Sequence, residues 1–156
     1  MQSSPWLFVV GGLSFVFVWC AVCWVLAFVG GWRRLAGRFR ATGPRPIGKN
    51  FWMMSGAIGG TTFRGALNVT VAPQGLYMSA FPLFRAGHPP LLVPWTVFKP
   101  FREEKMLWLS TYETDIALDD FDTVTLSVWS RELKEAMHAQ AYAALHPVSA
   151  GRTNEV

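Results

Sequence analysis

No Asp, Glu, Lys, Arg or His stands between Met1 and Trp32. Within this uncharged stretch, Trp6 to Val29 is a run of 24 residues, and 14 of them are Leu, Phe or Val. As a helix rising ~1.5 Å per residue it reaches ~36 Å, enough to cross a ~30 Å hydrocarbon core with some tilt. On the insertion scale the apolar side chains favour the bilayer by on the order of 6 kcal/mol, which outweighs Gly11, Gly12 and Ser14. Ser4 and Pro5 suit a helix start, and Gly30-Gly31 suits a stop. The sequence therefore predicts a transmembrane helix over 5–31, with Trp6 and Trp32 near its two ends. A cleaved signal peptide is not expected: Met1 to Pro5 lacks Lys and Arg, the apolar core is too long, and no small-residue cleavage pattern follows. Cys20 and Cys23 read as small, polarizable residues of a lipid-facing helix rather than a redox pair.

Six basic residues and no acid follow within the next 17 positions: Arg33, Arg34, Arg38, Arg40, Arg45 and Lys49. All flank the C-terminal end of the span, so the positive-inside rule puts the N-terminus outside and the rest of the chain in the cytoplasm. Residues 51–156, by contrast, carry eight Lys/Arg against ten Asp/Glu. The high pI is thus a local property, and a nucleic-acid partner is not expected. In "WRRLAGRFR", Trp32, Leu35, Ala36 and Phe39 fall on one side of a helical wheel, with Arg33, Arg34, Arg38 and Arg40 around the remainder. This pattern predicts a helix lying in the headgroup layer, aromatics in lipid and arginines among phosphates. Gly43, Pro44, Pro46 and Gly48 make 41–49 an irregular linker.

The stretch "GLYMSAFPLFRAGHPPLLVPW", Gly75 to Trp95, is almost as apolar as the first helix. It contains four prolines, Arg85 and His88, which a second span would have to absorb. It reads instead as strand (75–81), Pro-rich loop (82–90) and strand (91–93), with Trp95 capping the core. Phe84, Arg85 and His88 make the loop a candidate interaction surface. Strands are also expected at 51–58, 61–71, 106–112, 115–118 and 123–129, separated by turn residues. No long helical pattern interrupts them, so antiparallel connections are expected. "REEK" (102–105) reads as a solvated lead-in to a hairpin, and the carboxylates Asp115, Asp119, Asp120 and Asp122 as a solvated turn without calcium-loop spacing. Ser130 caps a closing amphipathic helix whose apolar face is Leu133, Ala136, Met137, Ala141, Ala144 and Leu145. Arg131 is placed to pair with Glu135 and Pro147 to end the helix. Residues 147–156 read as a disordered tail.

About seven short strands and one C-terminal helix over 50–146, with "GLYMS" followed by "LLVPWTVF", resemble the bacterial pleckstrin-homology-like (PH-like) and GRAM-like domains. The resemblance implies a mainly-β barrel of about seven antiparallel strands whose C-terminal helix plugs one end. It also implies a scaffold that binds lipid headgroups, peptides or partner domains. The early loops "GGTT" and "APQG" lack the basic residues of phosphoinositide-binding members, and a protein partner is preferred.

No catalytic set emerges. His88, His138 and His146 lack metal-ligand spacing on one element, and "GAIGG" precedes a strand rather than a helix, so it reads as a turn. No catalytic residue, metal or cofactor is expected. The expectation is a non-catalytic, single-pass inner-membrane protein carrying a cytoplasmic interaction module. Membrane lipids and either a protein partner or a homo-oligomer are the expected partners. The alternative is a structural subunit that assembles through small positions on its span, Gly11, Gly12, Ser14, Ala21 and Ala27.

Overall fold

The structure, a computed structural model, describes residues 5–106 and 109–146. The expected tail at 147–156 lies outside them. The first helix, α1, runs from Pro5 to Val29. It is long and apolar enough to span a membrane over Trp6–Val29. Its outer part stands clear of the rest of the protein with bulky apolar side chains exposed on all sides, Phe17 at 76% and Phe8 at 73%.

After Gly30-Gly31 the chain turns into α2, Trp32–Phe39. Gly31 takes φ 74°, a conformation that suits glycine. The apolar face of α2 does not lie outward. Trp32 and Leu35 are fully buried and Phe39 nearly so, all within the main hydrophobic core. This corrects the expectation that Trp32, Leu35 and Phe39 sit in lipid: the protein's own sheet covers that face. The linker that follows is held down as well. Arg45 donates to Thr70 Oγ1 at 2.7 Å, Thr70 donates to Asn50 Oδ1 at 2.8 Å, and the Arg45 guanidinium lies 4.3 Å from the Trp52 ring centre.

Seven antiparallel strands form one sheet among the described residues. They are β1 (Lys49–Ile58), β2 (Thr61–Ala72), β3 (Gly75–Ala80), β4 (Leu91–Val93), β5 (Arg102–Met106), β6 (Leu109–Ala117) and β7 (Thr123–Val128). Their order is β4-β3-β2-β1-β7-β6-β5. β1 is irregular, with register shifts between Phe51 and Gly56 and Met53 at φ 52°. Beyond this irregularity its end also pairs with β7, Gly56 opposite Val128. A Cβ on Gly56 would sit 2.5 Å from the Ser127 carbonyl oxygen, so the close approach of β7 requires glycine there.

The sheet is not closed into a barrel. The edge strand β4 is only three residues long, and the chain leaving α2 occupies its flank: Arg40 bridges to Leu91 and Ala41 N–H donates to the Pro90 carbonyl. At the other edge the expected single strand 106–112 is two strands, paired from Arg102↔Glu113 to Met106↔Leu109. Residues 107 and 108 fall between them, outside the described set. "REEK" is therefore strand rather than lead-in. β5 ends the strand order, and Arg102, Glu103 and Glu104 suit such an edge, where charge discourages further pairing.

Helix α3 (Arg131–Leu145) closes the interior. Ser130 Oγ accepts from the Leu133 N–H, and Arg131 pairs with Glu135, as the sequence predicts. Leu133 and Met137 are fully buried beside Leu67, Val69, Leu76, Met78 and Leu126. The expected apolar face is shorter than drawn, since Ala144 and Leu145 are exposed. Trp95 is buried and donates to the Ala72 carbonyl at 2.8 Å.

The β1–β2 turn, Gly59-Gly60, abuts the bend between the helices. A Cβ on Gly59, at φ 55°, would sit 2.4 Å from the Gly30 carbonyl oxygen. Gly59→Ala should therefore cost about 2 kcal/mol or more through strained φ and overpacking. Gly43→Ala, in open space, should be near neutral. Thermal denaturation of the two purified variants in detergent checks the difference.

Candidate functional site

The bend between α1 and α2 gathers most of the residues singled out in the sequence. The Trp32 indole lies 5.6 Å from the Phe63 ring and 5.1 Å from the His88 ring, and its Nε1–H donates to the Pro89 carbonyl at 2.9 Å. The Pro-rich loop between β3 and β4 therefore folds back over α2 instead of standing in solvent. It also leans on α1. A Cβ on Gly87, at φ 78°, would come within 3.0 Å of Trp24 Cα and 3.3 Å of Ala27 Cβ. Farther along α1, Trp19 Nε1–H donates to the Leu83 carbonyl at 3.0 Å and its ring lies 5.5 Å from Phe84.

Cys23 and Ala27 are buried under this contact. Cys23 is thus not lipid-facing, and Ala27 is taken by the protein's own loop, whereas Cys20 remains exposed. Trp19, Cys23, Ala27 and Gly30 lie four, four and three residues apart, on one side of the helix. That spacing was available in the sequence as a packing stripe, but the general apolarity of the run hides it.

His88 lies in the loop as expected but is buried, so of the candidate interaction residues it offers no exposed surface. Nδ1 contacts the Ala86 carbonyl at 3.1 Å, whereas Nε2 is buried without a hydrogen-bond partner. Burial lowers its pKa from the ordinary 6.5, and backbone hydrogen bonds at Ala86 and Phe84 oppose that shift. The charged groups bordering the same cleft are Arg33, Arg40 and Arg85, all cationic.

This cleft, of about 630 Å³, lies between α1, α2 and the β3–β4 loop, with Trp24, Arg33, Gly37, Arg40, Arg85 and Pro90 among its walls. It unites Arg33 and Arg40 of the basic helix with Arg85 and His88 of the loop. Arg33 sits 4.9 Å from the Trp24 ring centre and 5.7 Å from that of Phe28. Arg34 and Arg38 turn the other way, onto Asp122 and Asp119 of the β6–β7 turn. The turn is therefore ion-paired to α2, where the sequence predicts only a solvated turn. Asp115 is also paired, with Arg102 and with Thr125 Oγ1. His138 and His146 are remote from His88, on and after α3, where they border a second concavity with Trp95, Phe101 and Tyr142.

Comparison with protein-family models, curated proteins and solved structures gives no match for this chain.

The lowered pKa of His88 carries a stability prediction. The unfolded chain takes up the proton first as pH falls. The stability that neutral His88 contributes is complete above about 6.5 and is lost as pH drops below that toward the depressed value. Between pH 8 and 5.5 the Tm of the wild type should fall more than that of His88→Phe, whose ring is a comparable insert between Trp32 and Phe63. Equal falls would contradict this.

Proposed function

We propose that the protein is a single-pass membrane protein that presents a small, non-catalytic interaction module of PH-like type at the cytoplasmic face of a bacterial inner membrane. The observation that carries this reading is the joint itself. An apolar helix of membrane-spanning length continues, through a buried tryptophan, into a sheet domain. Such a domain cannot drift on a flexible tether. It is seated on the membrane surface in a fixed pose, as suits a scaffold.

The six basic residues between Arg33 and Lys49 support a cytoplasmic domain. The strand order, the irregular β1 shared between β2 and β7, and the C-terminal helix lying over the interior support the PH-like reading. The loops "GGTT" and "APQG" still carry no basic residue, which keeps a protein partner ahead of a headgroup held by the sheet's own loops. The alternative, a subunit that assembles through its span, loses Ala27 to the intramolecular contact and retains Gly11, Gly12, Ser14 and Ala21.

Topology is the first test. Fluorescent-protein and alkaline-phosphatase fusions after residue 156 should give fluorescence and no periplasmic phosphatase activity in a bacterial host. Phosphatase activity at that end would place the domain outside and overturn the reading.

A further inference from the structure

We propose that the cleft between α1, α2 and the β3–β4 loop binds the phosphate of an anionic glycerophospholipid from the leaflet that α1 leaves. This rests on the reading of α1 as a membrane span. Three arginines line the cleft from two distant parts of the sequence, Arg33 on α2 and Arg40 just past its end, and Arg85 in the loop. None has a carboxylate partner among the described residues, although Arg34 and Arg38, their neighbours on α2, are both neutralised. The fold thus sorts its arginines: two are used for internal pairing and three are left around one concavity. Guanidinium forks match the oxygens of a phosphate and donate to them in pairs. Arg33 is further held by the Trp24 and Phe28 rings beneath it.

The surroundings select a lipid over a soluble phosphate. Trp24 lies five residues before the end of α1, about 7 Å along the axis. The cleft therefore opens where the hydrocarbon layer gives way to headgroups. Beside it the surface is apolar and uncovered: Leu83 is 60% exposed, Trp24 52% and Phe28 63%. The tip of the loop is tied to Trp19, ten residues before the end of the helix and about 15 Å along it. Loop and helix together form a continuous apolar wall that leads from the arginines into the acyl layer. A phospholipid can place its phosphate on the cations and its chains along Phe28, Trp24 and Leu83. Three unneutralised positive charges favour a lipid with net negative charge over a zwitterionic one.

Native mass spectrometry of the full chain in detergent, titrated with phosphatidylglycerol or phosphatidylcholine, tests the site. The wild type should retain one phosphatidylglycerol in preference to phosphatidylcholine. The triple variant Arg33→Gln, Arg40→Gln, Arg85→Gln should bind phosphatidylglycerol on the order of 100-fold more weakly, at roughly fivefold per arginine. The double variant Arg34→Gln, Arg38→Gln should bind as the wild type does, and unchanged Tm values would establish that each variant is folded. Equal binding by the triple variant, or equal binding of the two lipids, would overturn the proposal. Glycerol 1-phosphate and inorganic phosphate serve as competitors without acyl chains. Displacement of the lipid by either at equimolar concentration would overturn the lipid as the ligand. Alkaline carbonate extraction of membranes separates this from failure of the span reading. Release of the chain into the supernatant would defeat the span, whereas retention with undiminished lipid binding by the triple variant would defeat only the site.

Discussion

The burial of one indole governs how this protein is assembled. Trp32 is the first residue of α2, immediately after a glycine pair that bends the chain away from α1. Its ring fills the space between Phe63 of β2 and His88 of the β3–β4 loop, and its N–H satisfies the Pro89 carbonyl. Removing so large a buried side chain costs about 3–5 kcal/mol in typical cores. Here the loss would fall on a joint where the apolar helix, the basic helix and the Pro-rich loop all meet. Gly31, Gly59 and Gly87 permit the close approaches that bring them together. The sheet and the apolar helix consequently belong to one continuous packing arrangement.

That arrangement also divides the basic segment. Once Trp32, Leu35 and Phe39 point into the core, the arginines between them must radiate outward on two sides. One side meets the acidic β6–β7 turn, whose Asp119 and Asp122 neutralise Arg38 and Arg34. Exposed pairs of this kind contribute little stability, about 0–1 kcal/mol each, so their larger consequence is orientation. The other side faces the cleft, where Arg85 joins Arg33 and Arg40. A cluster that looks uniform in the sequence is thus split by the fold into a structural half and an unpaired half.

The sequence was most legible where local chemistry decides the outcome. Alternating apolar residues mark β2 and β3, Ser130 marks the start of α3, and the prolines and Arg85 rule out a second span between Gly75 and Trp95. It was least legible where the partner of a surface is decided at long range. An amphipathic helix has the same wheel whether lipid or a sheet covers its apolar side, so "WRRLAGRFR" could not by itself reveal that Trp32 and Leu35 are core residues. The acidic turn gave no hint of arginines more than 80 positions away. β5 was missed because an edge strand carries charges where a central strand alternates. His88 is legible as a loop residue but not as a buried one, since burial there depends on Trp32 and Phe63 arriving from elsewhere.

The central claim is that the sheet domain is mounted rigidly on the apolar helix through Trp32. Electron–electron distance measurements test it most directly. Spin labels at Phe17→Cys and Phe121→Cys, both exposed positions, would be introduced into a Cys20→Ser, Cys23→Ala background reconstituted in lipid nanodiscs. A single distance distribution is predicted, as narrow as that of a reference pair at Trp52 and Phe121 within the sheet domain. Adding Trp32→Ala should broaden the first pair and leave the reference pair unchanged. A broad distribution for Phe17–Phe121 with Trp32 intact would mean a flexible tether and would contradict the account.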